Sequence, residues 1–415
     1  MTTDLVAAAE VVTTLLLVAT AVAALAHRSP LPESIALVLL GLGGAIIFPA
    51  VRLAISADLV LLVLVPGLVF EAAYALEWRD VRSVLGPLIA LAIPGVLVSA
   101  GVVALALHLV LGLPLSLAFV VGAITAATDP VAVVAALRRL AVPVRLRTLV
   151  EGESLLNDGT GLVLFALALR AAEGDLSFGA AIGLFSITLV VSVAVGLLGG
   201  YLAAQFIRRT EHSAIQLTSS LVLAYGTYEI AAHFGLSGIL ATVVSATTLG
   251  VCMRRDAPHA AIVREFDWFW GTLAFALTSL TFLLIGFAIE IPSLLGALLG
   301  IVTGTVAVVV ARAGIVYVPA AIFQFRKVTR FPAGWSHVLF WSGLRGAVAL
   351  AAALSIPATV PNRIQLQEIS FGIVLLTLVL QGGTAPLLVR RVLGNTATRE
   401  RLLTISEESS PKPHH

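Results

Sequence analysis

Residues 115–137 read LSLAFVVGAITAATDPVAVVAAL, an apolar run long enough to cross a membrane but with Thr128-Asp129-Pro130 within it. About twenty apolar residues span the hydrocarbon core of a bilayer as a helix. A proline removes one backbone donor and strains the preceding turn, so we expect the helix to open there. Backbone groups freed inside a membrane need an interior or watery lining. The stretch therefore predicts an interrupted membrane helix.

The rest of the chain has the composition of an all-α polytopic membrane protein. Of its 415 residues, 59% are hydrophobic and 12% are charged, and the mean hydropathy is +1.05. Average soluble domains carry about twice that share of charge. The first apolar run lacks a basic leader and an Ala-x-Ala site, so we expect a retained span and not a signal peptide. The single cysteine, Cys252, excludes an intrachain disulfide and any cysteine-rich metal site.

Hydropathy, Pro/Gly breaks and charge clusters divide the chain into about thirteen spans. Of the 25 Lys and Arg residues, 20 follow odd-numbered spans, three follow even-numbered spans and two lie within spans. The positive-inside rule then predicts the N-terminus outside the cell and the C-terminus in the cytoplasm. The spans are placed near 5–27, 33–50, 57–76, 83–112, 115–137, 151–171, 177–207, 214–233, 236–252, 262–290, 293–323, 335–356 and 366–393.

An odd number of spans predicts two six-span repeats of opposite orientation. They cover about 5–171 and 214–393, and a linking helix at 177–207 joins them. The fifth span of the second repeat carries SGLRG (342–346), a break matching the one at Thr128-Asp129-Pro130. Inverted repeats with broken helices are typical of secondary transporters, whose binding sites lie near the bilayer midplane. Residues 1–394 would thus form one transmembrane domain and 395–415 a short cytoplasmic tail.

The segment EGESLLNDGTG (151–161) places acidic side chains in an otherwise apolar span. An ionisable residue at mid-bilayer costs about 2.5–3.5 kcal/mol, so we expect such residues to be functional. Ser154 and Asp158 are four apart on one helix face, and Glu153 and Asn157 share the adjacent face. Hard cations prefer oxygen ligands of this kind. Because burial disfavours a charged carboxylate, Asp158 should hold either a proton or a cation; the alternative is a structural tie to an arginine.

Further roles follow from position within the spans. Asp129 is expected to offset a helix dipole or cap a helix end at the break, which leaves Thr128 as the better cation ligand. Glu153 and Arg345 are expected to form a buried ion pair that ties span 12 to span 6. Glu71 either completes the ion site through water or extends to the interface. The other intramembrane candidates are expected to be interfacial or structural: Glu229, Glu290 and Arg312.

Three motifs in register carry a family resemblance. TDPVAVVAAL (128–137), EGESLLNDGTG (151–161) and SGLRGAVALA (342–351), with FLLIG (282–286) between them, resemble the Na⁺/H⁺ exchangers of the monovalent cation:proton antiporter-1 family, in particular its prokaryotic NhaP-type members. The resemblance implies the NhaA-like antiporter fold, with two crossed, interrupted helices in each protomer of a homodimer, in the cell membrane. It implies exchange of Na⁺ or Li⁺ for H⁺, with no enzymatic activity, cofactor or nucleic-acid partner, in pH homeostasis and salt tolerance.

The same resemblance assigns the site. Asp158 corresponds to the ion- and proton-binding aspartate, and Thr128 and Ser154 match the cation ligands, so Na⁺ is expected at these three residues. Glu71 matches an acid that can join the site. Asn157 stands where electrogenic relatives carry a second aspartate, which implies electroneutral one-for-one exchange. The remaining matches are structural: Glu153 with Arg345 as the core ion pair, and Asp129 at the helix crossing.

Three alternatives stay open at this point. A K⁺/H⁺ antiporter of the same fold would carry the same motifs, because cation choice depends on coordination geometry. An intramembrane aspartyl protease would use Asp129 and Asp158 as a catalytic dyad, although a Gly-x-Gly-Asp motif is absent and Asp129 precedes a proline. A passive cation channel is disfavoured by a single buried carboxylate with inverted repeats, which favours alternating access.

Overall fold

A computed structural model of the chain shows helices and connecting segments throughout the part that it describes, namely residues 13–14, 17–18, 20–21, 32–47, 57–139, 142–174, 176, 178–254, 260–289, 291–325 and 333–393. Most of the predicted first span, Glu290 and the predicted tail lie outside these residues. In chain order the helices are α1 Glu33–Ile47, α2 Leu59–Ala75, α3 Trp78–Leu111, α4 Leu115–Ile124, α5 Val131–Arg139, α6 Val144–Ala172, α7 Phe178–Arg208, α8 Ser213–His233, α9 Gly238–Arg254, α10 Ala260–Ala288, α11 Ile291–Gly296, α12 Leu298–Phe325, α13 Ala333–Trp341, α14 Ala347–Leu354 and α15 Arg363–Leu393.

Six of these helices are long and apolar enough to cross a membrane, namely α3, α6, α7, α10, α12 and α15. Four shorter apolar helices accompany them: α1, α2, α4 and α9. Only 17% of the apolar window of α7 is buried within the chain, so most of that helix lies on the outer surface. The chain is therefore an all-helical, multi-pass membrane protein in the part described.

Two helices are interrupted at the predicted positions. The first break separates α4 from α5 and contains Thr128-Asp129-Pro130, and the second, at 342–346, separates α13 from α14. The breaks meet, because the backbone N–H of Asp129 donates a hydrogen bond to the carbonyl of Leu344 at 2.8 Å. Each break thus satisfies part of the backbone that the other leaves without a helical partner.

The helices pack in two sets. In one set α10 packs on α1, and α9 packs on α2, α7 and α8; in the other, α3 packs on α4, α6 and α12, and α15 packs on α12 and α14. Several contacts join the sets, among them those of α6 with α9 and α7, and of α14 with α2 and α10. The first set depends on glycine where α1 crosses α10, because a Cβ at Gly41 would lie 3.0 Å from the Cα of Gly286. The interrupted helices belong to the second set, so the site is built mainly on that set.

Among the described helices, three contain π-helical turns, at 59–64 in α2, 91–95 in α3 and 378–382 in α15. The turn in α3 contains Pro94, which has no backbone N–H to continue the helical hydrogen bonds. The hydroxyl of Thr160 on α6 donates to the carbonyl of Ala92 in this turn at 2.7 Å. That bond satisfies a buried carbonyl and fixes α3 against the segment of α6 that carries Asp158.

Candidate cation site

Helix α6 carries four of the predicted site residues within two turns: Glu153, Ser154, Asn157 and Asp158. It runs unbroken for 29 residues, so Ser154 and Asp158 share a face as their spacing predicts. Glu153, Ser154 and Asn157 are buried, at 2%, 7% and 1% exposure. Burial of so many polar groups requires partners for them within the protein.

The first break supplies the partners of Ser154 and Asn157. Asn157 contacts Thr128 twice: its Oδ1 accepts from the Thr128 N–H at 3.1 Å, and its Nδ2 donates to Thr128 Oγ1 at 2.5 Å. The Ser154 hydroxyl donates to the Thr128 carbonyl at 2.5 Å. Three hydrogen bonds from one helix therefore hold the unwound residue Thr128 in place.

Asp129 lies between the starts of α5 and α14, the helices that follow the two breaks. The backbone N–H of Val131, the first residue of α5, donates to Asp129 Oδ1 at 3.1 Å. Gly346, the residue before α14, packs against the same carboxylate. A negative charge is favourable at a helix N-terminus because the amides there carry a partial positive charge. One carboxylate is thus shared by two half-helices.

A cavity of about 410 Å³ opens beside this arrangement. Its polar lining includes Asp158, Asp129, Ser154 and Glu71, and most of the rest is apolar side chains of α2, α5, α10 and α14. Within the described residues, the Asp158 carboxylate forms neither a hydrogen bond nor a salt bridge. The cavity therefore presents a free carboxylate and an adjacent hydroxyl to water and small ions.

The chain is similar to known transporters over nearly its whole length. Residues 12–391 match the profile of the family described as "Sodium/hydrogen exchanger, transmembrane". The chain belongs to the sodium/hydrogen exchanger family. Its relatives include the Na⁺/H⁺ antiporter ApNhaP of Aphanothece halophytica, which is 36% identical over 91% of this chain and 72% of that protein. The low-affinity Na⁺/H⁺ antiporter NhaS1 of Synechocystis is 33% identical over 87% of this chain and 69% of that protein.

A solved structure shares the fold of this exchanger. The sodium proton antiporter MjNhaP1 of Methanocaldococcus jannaschii superposes with a TM-score of 0.75 at 21% identity, and the match covers 94% of this chain and all of that one. At this level of identity the likeness concerns the fold alone. The family resemblance that the three motifs carry is confirmed by the family match.

The ion pair of this exchanger differs from the one that we predicted. Glu153 pairs with Arg312 of α12 and not with Arg345: the Arg312 Nη1 and Nη2 atoms donate to the two carboxylate oxygens, Nη2 at 2.8 Å. The physical reason lies at the end of α13. The Leu339 carbonyl there accepts from Arg312 at 2.7 Å, and Ser342 Oγ lies 3.3 Å away, which holds the guanidinium towards Glu153.

Arg345 lies close by in a different setting. It is 1% exposed, and its backbone N–H donates to Thr377 Oγ1 at 3.3 Å. Its Nε and Nη1 atoms lack a hydrogen-bond partner among the described residues. It interacts electrostatically with Arg312, Glu153 and Asp158, so its charge still acts on the site without a direct salt bridge.

The structure also shows which polar residues stand apart from the site. Glu229 is exposed on α8. His337 faces the Tyr317 hydroxyl at 2.8 Å, and no group of three or more His, Cys, Asp or Glu among the described residues is placed to hold a metal ion.

The sequence did not predict the role of Arg312 or the presence of Thr278 and Thr281 in the cavity wall. The sequence did contain a signal for the role of Arg312: two arginines, Arg312 and Arg345, lie within predicted spans, and either could pair with the buried Glu153.

Substitution of Gly346 by alanine should damage the helix crossing. A Cβ at this position would overlap the carboxylate and the Cβ of Asp129. The Cβ of Asp129 is attached directly to the backbone, so it cannot move aside as the end of a long side chain could. Overpacking of this kind typically costs about 1–3 kcal/mol. We expect Gly346→Ala to lower the thermal midpoint of the purified exchanger and to reduce its transport.

The matched control is Gly314→Ala in α12, where nothing lies within 4 Å of the new Cβ. Alanine is the better helix former, so this control should unfold at the same temperature as the unchanged chain or higher. Equal thermal midpoints for Gly346→Ala and Gly314→Ala would contradict the close contact with Asp129.

Proposed function

We propose that this exchanger moves Na⁺ or Li⁺ in one direction and H⁺ in the other by alternating access, with the two ions competing for Asp158. The observation that carries the proposal is the free Asp158 carboxylate in a cavity beside the Ser154 hydroxyl. Relatives that are at least 30% identical are named Na⁺/H⁺ antiporters, which supports it. A carboxylate in an apolar cavity binds a proton or a cation, and binding of one excludes the other.

The cation would be coordinated by oxygen atoms alone. Asp158 supplies a charged oxygen, Ser154 a hydroxyl oxygen at the same cavity wall, and Thr128 the carbonyl and hydroxyl oxygens behind it. Hard cations take oxygen ligands from carboxylates, carbonyls and water. Water in the cavity completes the shell, and Glu71 acts on the ion from the cavity wall.

Cation-driven proton flux in proteoliposomes tests this function. When the liposome interior is acidic, Na⁺ or Li⁺ added outside should drive protons out, whereas choline should not. Raising the proton concentration should raise the apparent KM for Na⁺ and leave the maximal rate nearly unchanged, because the ions compete for one carboxylate. Flux with K⁺ alone would establish the K⁺/H⁺ alternative, and cation flux without proton movement would indicate a channel.

We further propose one-for-one exchange, since the other carboxylates near Asp158, among the described residues, each have a partner. Asn157 cannot take up a proton, and both ends of its amide are bonded to Thr128. Arg312 neutralises Glu153. The carboxylate of Asp129 accepts from the first backbone N–H of α5 and lies beside the start of α14, where the helix dipoles favour a negative charge. One titrating carboxylate then carries either one cation or one proton in each half-cycle.

The corresponding prediction is that membrane potential has little effect on the rate. A potential acts with about 2.3 kcal/mol per elementary charge per 100 mV, so an electrogenic exchanger responds strongly to it. Imposing or collapsing a potential with valinomycin and K⁺ should leave Na⁺-driven proton flux nearly unchanged. A several-fold dependence would contradict one-for-one exchange and assign a second proton to Glu71.

The remaining architecture is proposed from the sequence. We infer thirteen spans in two inverted repeats, a transmembrane domain at 1–394 and a tail at 395–415. The 20 Lys and Arg residues on one side support an external N-terminus and a cytoplasmic C-terminus. In a Cys252→Ala background, a cysteine introduced at position 2 should react with an impermeant reagent in intact cells, and one at position 405 should not. The reverse pattern would overturn this orientation.

We also propose a homodimer in the prokaryotic cell membrane, in which the exchanger would support pH homeostasis and salt tolerance. Within the described residues, the outer face of α7 exposes large apolar side chains such as Leu198, at 61%, which either lipid or a second copy would cover. The molar mass of the detergent-purified protein, measured by light scattering, should be twice that of one chain. A mass of one chain at all concentrations would contradict the dimer.

A further inference from the structure

We propose that a pocket next to the loop between α2 and α3 binds the phosphate group of an anionic membrane lipid. The pocket, called here the arginine pocket, has a volume of about 540 Å³ and is lined by residues 76–79, 82, 250, 251 and 254. It is separate from the cation cavity, with which it shares none of its lining residues. The proposal does not depend on which ions the exchanger transports.

The charge of the arginine pocket is positive. Arg79, Arg82 and Arg254 face one acid, Glu77, in the lining. Arg79 and Arg82 are exposed and three apart on the first turns of α3, so they share a face. Within the described residues neither arginine forms a salt bridge or a side-chain hydrogen bond. Two guanidinium groups are therefore available to an anion.

The third arginine is held in position by the protein. Arg254 Nη1 donates to the Tyr74 carbonyl at 2.6 Å, and its guanidinium carbon lies 4.6 Å from the centre of the Tyr74 ring. Asp267 is 3.5 Å from its Nη2 atom and is largely exposed, so it neutralises Arg254 only in part. A planar guanidinium fixed in this way is suited to bind phosphate oxygens through paired hydrogen bonds.

The surroundings of the arginine pocket indicate a lipid and not a soluble anion. Trp78 lines the pocket and is 42% exposed, and tryptophan is enriched where a membrane protein meets the headgroup region. Leu76 and Val251 add an apolar wall, and the long apolar helix α3 begins at Trp78. Clusters of arginine at the end of a membrane helix attract anionic headgroups. A molecule with a phosphate and acyl chains satisfies both parts of this surface.

The arginine pocket also joins the two helix sets. Its arginines come from α3 and α9, and the start of α3 is bound to α6 because Arg145 Nη2 donates to the Ser83 carbonyl at 2.9 Å. Helix α6 carries Asp158. A lipid phosphate held by Arg79, Arg82 and Arg254 would therefore bridge the set that contains the cation site and the set that contains α9.

Lipid binding to the delipidated, full-length protein in detergent tests the proposal. Phosphatidylglycerol should raise the thermal midpoint and remain bound in native mass spectrometry, whereas phosphatidylcholine should do neither. The double variant Arg79→Gln/Arg82→Gln should weaken phosphatidylglycerol binding by about tenfold or more. Arg79→Lys/Arg82→Lys keeps both charges, so it should retain at least part of the binding and serves as the second variant if the glutamine pair does not fold.

The matched control removes the same charge elsewhere. Arg209 and Arg264 are exposed arginines near the ends of α7 and α10 and outside the pocket lining, so Arg209→Gln/Arg264→Gln should bind phosphatidylglycerol as the unchanged chain does. Equal losses in both glutamine pairs, or a loss in neither, would overturn the site. Inorganic phosphate or glycerol phosphate that protects as well as the lipid would overturn the lipid assignment.

Discussion

Asp158→Asn is expected to abolish Na⁺-driven proton movement in proteoliposomes, down to the level of protein-free liposomes. An amide of the same size cannot bind a proton or supply a charged oxygen to a cation, so both half-reactions are lost together. The Asp158 carboxylate has no hydrogen bond or salt bridge within the described residues. Its removal should therefore leave the helices in place, and the thermal midpoint should stay close to that of the unchanged chain.

The matched control for this variant is Glu229→Gln, which neutralises an exposed acid on α8 away from the cavity. It should transport at the normal rate. Sustained exchange by Asp158→Asn, or equal losses of exchange in both variants, would show that Asp158 is not the carrier. A Ser154→Ala variant completes the series, since it removes one uncharged oxygen and should raise the apparent KM for Na⁺ without abolishing exchange.

The second large effect concerns stability. Loss of one partner from a buried ion pair typically costs about 3–5 kcal/mol, because the other charge remains buried without compensation. Glu153 and Arg312 are 2% and 5% exposed, and their carboxylate and guanidinium groups form paired hydrogen bonds. We expect Glu153→Gln and Arg312→Gln each to lower the yield and thermal midpoint strongly. The double change to Glu153→Leu/Arg312→Met should cost less than the sum of the two single changes.

Two comparisons make this prediction specific. The partly exposed Arg147–Glu151 pair, 3.4 Å apart on the same helix as Glu153, should contribute no more than about 1 kcal/mol, so Arg147→Gln should be mild. A double-mutant cycle of Glu153 with Arg345 should show weaker coupling than the cycle with Arg312. Stronger coupling to Arg345 would restore the pairing that the sequence predicts and refute the contact in the structure.

Features that depend only on residues close together in the sequence could be predicted from it. The membrane class follows from apolar runs, and the breaks at 125–130 and 342–346 follow from a proline and glycines within such runs, because each of these properties belongs to a contiguous segment. The shared face of Ser154 and Asp158 follows from helical spacing alone. The motifs around these positions were also enough to predict the family that the comparisons confirm.

Only the tertiary structure decided which groups meet. Arg312 and Arg345 are both charges within predicted spans, and helical spacing does not tell which of them reaches Glu153. That choice depends on the Leu339 carbonyl near the end of α13, which accepts two hydrogen bonds from Arg312. It also depends on the non-helical break that carries Arg345, because side-chain directions there do not follow a helical period. The double contact of Asn157 with Thr128 likewise joins residues 29 apart in sequence. Local sequence determines where a helix forms or opens, whereas the partner of a buried charge depends on how separate helices cross.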